Sequence, residues 1–346
     1  MHSSLAHPHR RQMRCAIAFL AFLAATSCSR SQPATADRLS LQLVQLPISY
    51  SAVTHIAEAQ GYFKQVGLEF TAVSVPAGPD VVTALRRHTS DAPAAGTIAI
   101  TPVATLVGAG ETPVVLATTL RSNQQAKLVT FRGTGITDDA STLRGKRVGV
   151  VRFTNGDIYL SRLLKKAGLT ERDIRVVSGR PPDLASLLLN GELDAAVLWD
   201  PYVAQVLKGR TTKTESRGEA VALVDPSLHT LAFNIVTTRD RLPSHRKALE
   251  KLLQACIMAE KYIAEHRDEA QRETERWLKL SPGDLDDFFR TTEFRVDLQT
   301  TKIERWIGEE LLWLGERTPD ISKPSDFSAF VDASVLKAID PGRVSR

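Results

Sequence analysis

Short apolar runs alternate with segments of helical period along this chain. Strands are expected near 40–46, 68–74, 92–97 and 113–119, and helices near 51–61, 79–88 and 100–108. A second unit opens near Lys127, with strands near 147–151, 174–178, 194–198 and 221–224. Its helices have marked ends. The one from Asp157 puts Leu160, Leu163, Leu164 and Ala167 on one face, and Lys165, Lys166 and a left-handed Gly168 close it as the helix dipole favours. The segment 182–191 starts on Pro182, turns Leu184, Leu187 and Leu188 inward and ends at Gly191. Asp200-Pro201 reads as an N-cap and first-turn proline opening a helix that Gly209 ends. After a strand-like run near 230–237 the pattern is helical and amphipathic to the C-terminus. Strand and helix alternating over about 300 residues predict an α/β fold of two domains.

The first residues follow a different logic. Arg10, Arg11 and Arg14, with no acidic residue, precede an unbroken apolar run from Cys15 to Ala25. This is the pattern of a secretory signal peptide over residues 1–27, too short to span a bilayer, which takes roughly 20 apolar residues. Residues 28–38 have the Ser/Pro/Ala polarity of a tether. The whole chain carries a formal net charge of +5; without residues 1–27, 41 basic residues face 39 acidic ones. Much of the basicity thus belongs to targeting, and no nucleic-acid partner is expected. Of three cysteines only Cys256 lies within the folded body, on the apolar period of Leu249, Leu252, Leu253 and Ile257, where it reads as a buried small hydrophobe.

Ala25-Thr26-Ser27-Cys28 resembles the lipobox of bacterial lipoproteins, with Ala25 where leucine is usual. The resemblance implies acylation of Cys28 and a lipid anchor; cleavage nearby with release into the periplasm is the other outcome. Four further stretches carry a second resemblance: His55-Ile-Ala-Glu-Ala-Gln-Gly-Tyr-Phe63 with Val66-Gly-Leu-Glu69; Leu143-Arg-Gly-Lys-Arg-Val-Gly-Val150; Lys166-Ala-Gly-Leu169; and Gly191-Glu-Leu-Asp-Ala-Ala-Val-Leu-Trp-Asp-Pro-Tyr202. In this order they resemble the substrate-binding proteins of ABC importers for nitrate, taurine and aliphatic sulfonates, a family that includes binders of thiamine-pyrimidine precursors.

That resemblance implies a two-lobed, periplasmic-binding-protein-like fold of type II with a helical C-terminal tail. Lobe one would comprise residues 39–122 and 230–346, lobe two 123–229, joined by a hinge near 119–127 and 225–232. It also implies a monomeric envelope protein that captures a small organic anion or zwitterion between its lobes and delivers it to ABC permease subunits, without cofactor, metal or catalysis. The chain shows no Walker-type glycine loop, HExxH or GxSxG. A precursor-pyrimidine binder, an enzyme on the same fold and a sensory lipoprotein are the alternatives.

Ligands in open α/β sheets bind beyond the carboxyl ends of strands. Five stretches meet this condition: Pro47 to Tyr50 with Ser49 after the first strand; Gly96-Thr97 after the third; Arg121-Ser122-Asn123 after the fourth; Thr154-Asn155-Gly156-Asp157 after the first strand of lobe two; and Trp199-Asp200. Their hydroxyls, amides and free backbone N–H groups at helix starts suit an oxyanion. Thr154, Asn155 and Asp157 equally suit helix capping, and Ser122-Asn123 a turn. Trp199 can stack on a flat ligand and Asp200 can pair with an amino group, or the one packs and the other caps. Tyr50 and His55 lie where the family shapes specificity, and His55 can equally occupy the outer flank of its helix. Arg121, Arg152 and Arg180 are the arginines near strand ends suited to clamp an anion. Asp91-Ala-Pro-Ala-Ala-Gly96 departs from the family pattern, which points to a reshaped pocket floor.

Overall fold

The computed structural model describes residues 39–346 apart from 88, 90, 91 and 210–214. The expected signal peptide, Cys28 and the 28–38 tether lie outside the described residues. The chain first lays down β1 (Leu39–Gln45), β2 (Leu68–Ser74), β3 (Ala95–Ala99) and β4 (Pro113–Ser122). It then builds a separate sheet from β5 (Lys127–Phe131), β6 (Arg147–Val150), β7 (Arg175–Ser178), β8 (Ala195–Leu198) and β9 (Ala220–Leu223). Finally it returns to the first with β10 (Leu231–Thr238), β11 (Glu293–Gln299) and β12 (Val344–Ser345). The sheets run β12-β11-β4-β10-β3-β1-β2 and β7-β6-β8-β5-β9. This is the mixed α/β, two-lobed architecture of periplasmic binding proteins.

The central strands show why the sheets form. All residues of β4 and β10 are buried, so these strands, covered on both faces, show no alternation of apolar and exposed polar positions. The two are antiparallel, with Leu231 opposite Ser122, and β5 pairs with β9 with Leu128 opposite Leu223. Segments 123–126 and 224–230 therefore cross between the sheets next to paired strands. Gln125, fully buried, donates from Nε2 to Thr291 Oγ1 (3.1 Å) and Thr292 Oγ1 (3.2 Å), tying the first crossing to lobe one.

Helices cover both sheets. In lobe one these are α1 (Ala52–Ala59), α2 (Tyr62–Gln65), α3 (Gly78–Leu85) and α4 (Ile100–Gly108); in lobe two, α5 (Asn155–Lys166), α6 (Pro181–Leu189) and α7 (Tyr202–Lys208). The return adds α8 (Leu242–Glu265), α9 (Arg267–Trp277), α10 (Asp286–Thr291), α11 (Thr300–Gly315) and α12 (Ser334–Ile339). Gly168 ends α5 with φ +66°, as its sequence context requires. Gly96 serves packing: a Cβ there would come within 2.9 Å of Val81 Cγ1 and 3.0 Å of Val44 Cγ1. Cys256 is fully buried in α8, and burial pushes its thiol up, so it is inert.

Several expectations need correction. The C-terminal part is not helical throughout: Val296 and Leu298 of β11 are buried two residues apart, a short strand period set among helices. β5 is a full strand from Lys127, its lysine masking an otherwise apolar run. β3 starts at Ala95 rather than near 92, because Pro93 offers no N–H to a ladder. Gly96 and Thr97 therefore lie inside the strand rather than after it. α5 begins at Asn155 on Thr154, two residues ahead of Asp157. Asp200 is not the residue next to α7, since Pro201 stands between them, but its carboxylate accepts from the Ala204 N–H in the first turn, as the expected cap would. Tyr202 and Val203 donate back to Trp199 O (2.9 and 3.2 Å), so a turn precedes the helix and Asp200 lies within it.

One buried acid sets a pH dependence. Glu310 of α11 is 3% exposed, and burial raises its carboxyl to about 7, with Thr101 and Arg162 pulling the other way. The folded protein thus holds a proton there that the unfolded chain releases near the ordinary carboxyl range. The sign follows: the group's contribution is intact below that ordinary range and is lost as pH rises through about 7. Glu310→Gln should stabilise relative to the parent increasingly between pH 4.5 and 8, by on the order of 3 kcal/mol at the top. Urea titrations of both proteins at several pH values check it; a pH-independent difference contradicts it.

Candidate functional site

Between the lobes lies a cavity of about 30 Å³. Lobe one contributes Leu46, Ile48 and Tyr50 beyond β1, Gly78 at the start of α3, Ile98, Ala99 and Pro102 where β3 passes into α4, and Phe233 of β10. Lobe two contributes Thr154 and Asn155 at the start of α5 and Trp199 beyond β8. Three helix starts thus converge on one space. In α5 the first N–H groups, those of Asn155 and Gly156, have no earlier helical acceptor, and the helix dipole directs partial positive charge toward the space. Trp199, Tyr50 and Phe233, all at least 95% buried, form aromatic walls, with the Tyr50 and Phe233 centroids 5.5 Å apart.

The polar atoms of this wall are unusual. Tyr50 Oη, Asn155 Nδ2 and Trp199 Nε1 are buried, and none makes a well-formed hydrogen bond within the protein. Asn155 does approach the Tyr50 hydroxyl closely enough to moderate its proton affinity. A buried donor left so costs roughly 1–3 kcal/mol. Burial and the neighbouring Asp200 carboxylate push the Tyr50 hydroxyl well up, so it remains a donor. Burial likewise raises the Asp200 carboxyl, against the pull of Lys127, whose Nζ lies 3.5 Å from its Oδ2. Lys127 also pairs with Asp287 of α10, whose carboxyl Lys127 and Arg290 hold down although burial opposes them.

The lobes are closed over the cavity by direct contacts. Ser49 Oγ donates to Asp200 O (3.1 Å), Lys127 and Lys208 of lobe two pair with Asp287 and Asp284, and Arg317 after α11 donates to Ser161 Oγ and Glu171 Oε1, both at 3.1 Å. A cavity of about 30 Å³ has room for little more than a water. A larger molecule fits only if the lobes move apart, which these contacts oppose.

Of the residues expected from sequence, Tyr50, Thr154, Asn155 and Trp199 meet at the cavity, with Ser49 and Asp200 immediately behind. Gly156 packs under Trp199, where an added Cβ would lie 3.4 Å from its ring. Asp157 holds the loop ahead of α5, accepting from Phe153 N–H (3.0 Å). Gly96 and Thr97 sit within β3 and do not line the cavity. None of the three expected arginines lines the cavity. Arg121 is 5% exposed and paired with Asp297; Arg152 binds Glu171 through two 2.9 Å bonds and Asp157 at 3.1 Å; Arg180 is exposed at the start of α6. Ser122 Oγ donates to Thr291 O, and Asn123 is exposed on the crossing segment. His55 stacks on Trp277 (4.3 Å) beside Glu273, on the outer flank of α1.

Sequence reasoning missed the apolar wall. Leu46, Ala99, Gly78 and Pro102 sit at strand ends and helix starts and were findable by position, whereas Phe233 lies mid-strand and carries no such signal. A larger surface cavity of about 330 Å³ includes Leu128, Tyr159, Lys166 and Asp225. Its polar groups satisfy one another: Lys166 pairs with Asp225, whose N–H donates to Tyr159 Oη (2.9 Å). The interlobe cavity is therefore the better candidate. Among the described residues no group of three or more His, Cys, Asp or Glu is placed to hold a metal ion.

Residues 49–270 match the family described as NMT1/THI5 like. A candidate binding protein of Brucella abortus is 22% identical over 245 residues, 68% of this chain and 70% of its own. A 4-amino-5-hydroxymethyl-2-methylpyrimidine phosphate synthase of Saccharomyces cerevisiae is 28% identical over 173 residues, 46% of each chain. The alkanesulfonate-binding protein SsuA from Xanthomonas axonopodis pv. citri, solved bound to MOPS, superposes with a TM-score of 0.71 at 17% identity, over 86% of this chain and 99% of its own.

Proposed function

Since this chain belongs to the NMT1/THI5-like family, we propose that it is an extracytoplasmic solute-binding receptor. Its lobes close on a small organic molecule with an apolar body and one electronegative head. The observation that carries this reading is the group of buried donors around a space where three helices begin: Trp199 Nε1, which has no partner, and Tyr50 Oη and Asn155 Nδ2, which have only a loose contact with each other. Donors of that kind, with free N–H groups at a helix start, suit the oxygens of a sulfonate or carboxylate. The aromatic walls suit an alkyl or ring body.

Among the described residues no arginine or lysine lines the cavity. Binding therefore rests on neutral donors and dipoles, which favours an organic sulfonate over a compact, strongly hydrated ion such as nitrate. Ligand contacts to both lobes stabilise the closed form, and that form would dock on the membrane permease of an ABC importer. The N-terminal residues would supply export and, through Cys28, a lipid anchor in the envelope. A heterocyclic amine is the second reading, favoured by the Asp200 carboxyl beside Tyr50.

Titration calorimetry of the purified full chain against MOPS, taurine, nitrate and 4-amino-5-hydroxymethyl-2-methylpyrimidine tests this reading. Binding of MOPS at least about tenfold tighter than nitrate is expected. Tightest binding of the pyrimidine selects the second reading. Nitrate as the tightest ligand, no binding at all, or a product detected by mass spectrometry overturns both.

A further inference from the structure

The loop that carries Thr154 and Asn155 into the cavity is held in an unfavourable conformation. Phe153 has φ +59°, in the left-handed region that bulky side chains avoid, and its ring is 41% exposed. The ring belongs to neither apolar core. What holds the backbone is the Phe153 N–H, which donates to Asp157 Oδ2 at 3.0 Å. Asp157 is 1% exposed and cannot turn to water; its other oxygen accepts from Arg152 Nη1 at 3.1 Å.

Arg152 is in turn oriented by Glu171 through a bidentate pair, 2.9 Å on each arm. Glu171 Oε1 also accepts from Arg317 Nη2 at 3.1 Å, and Arg317 comes from lobe one, where its guanidinium lies 4.4 Å over the Trp313 ring. The same Nη2 reaches Ser161 Oγ of α5 at 3.1 Å. Arg317, Glu171, Arg152, Asp157 and the Phe153 N–H thus form one unbroken chain. It starts on the lobe opposite the loop and ends at the residue next to Thr154.

We propose that this chain is a closure relay, in which Arg317 of lobe one is a positioning residue that fixes the strained 152–154 loop, and with it Asn155, only when the lobes are shut. When they part, Arg317 leaves Glu171. The Glu171–Arg152 pair becomes more exposed and weaker, and Phe153 is free to leave the left-handed region. The ligand-contacting geometry of α5 is then assembled by closure itself rather than preformed. This rests on the reading of the interlobe cavity as the binding site, but the relay has a readout that needs no ligand.

Hydrogen exchange of individual amides in the full chain provides it. In Arg317→Gln and in Glu171→Gln the Phe153 amide should exchange about tenfold faster than in the parent, as expected for weakening one charge-assisted bond. The sheet amides of Val148 and Val197 should stay unchanged, and Arg317→Lys should restore most of the protection. An unchanged Phe153 amide, or one that accelerates only in step with Val148 and Val197, overturns the relay. MOPS titration separates the two ideas. MOPS binding with an unresponsive Phe153 amide leaves the receptor reading standing without the relay. A responsive amide in a protein that binds nothing in the panel leaves the relay standing without that reading.

Discussion

Replacing Trp199 with alanine will weaken MOPS binding by about 100-fold, because a large aromatic anchor near the centre of a desolvated site contributes about 2–4 kcal/mol. The indole is 5% exposed, forms a wall of the interlobe cavity and presents an Nε1–H with no partner in the protein. Trp199→Phe keeps most of the apolar wall but loses the donor, and should cost about tenfold. Because the ring is buried and lies against Gly156, the alanine variant will also be less stable, by roughly 3–5 kcal/mol. The phenylalanine variant separates the two effects: its melting temperature should stay close to that of the parent while its affinity falls. Parent-like affinity in both variants would remove Trp199 from the site.

Asp297→Ala will destabilise the protein by about 3–5 kcal/mol, the cost of leaving a buried charge without its partner. Arg121 and Asp297 face each other across β4 and β11 with side chains only 6% and 7% exposed. The double variant Arg121→Met/Asp297→Leu should regain most of that loss, since apolar side chains of similar size can replace a buried pair. It should also bind MOPS as the parent does. Urea unfolding and calorimetry on the three proteins check this. A stable double variant that has lost binding more than tenfold would make Arg121 an anion clamp after all.

That second experiment bears on what the sequence could and could not say. Helix starts were legible: Thr154 and Asn155 follow an apolar strand and precede a helix closed by Gly168, and position alone put them beside a cleft. Trp199 was legible for the same reason. The arginines were not, because a strand-end arginine looks the same whether it faces a cleft or a carboxylate distant in sequence, and Asp297 lies 176 residues from Arg121. Asp297 was hidden further by β11 itself, a seven-residue strand just ahead of the 16-residue α11, whose amphipathic period dominates the pattern. The Arg317–Glu171 contact, 146 residues apart, is of the same kind. Phe153 gives no sign of its positive φ, since nothing in its residue type favours that conformation.

The apolar character of the cavity was likewise out of reach. Leu46, Ile98 and Phe233 are ordinary core residues by composition, and only the closing of one lobe on the other makes them a wall. The expected ligand class, a small organic anion or zwitterion, was read from the family resemblance; the aromatic surface around the cavity was not.

Crystallisation with a bromine-labelled alkanesulfonate, located by its anomalous scattering, tests that account most directly. It predicts a single strong bromine peak between Tyr50, Trp199 and Phe233, with the sulfonate oxygens on the N–H groups of Asn155 and Gly156. No bromine between the lobes, or a peak only at the Leu128–Tyr159–Lys166 surface cavity, would contradict it.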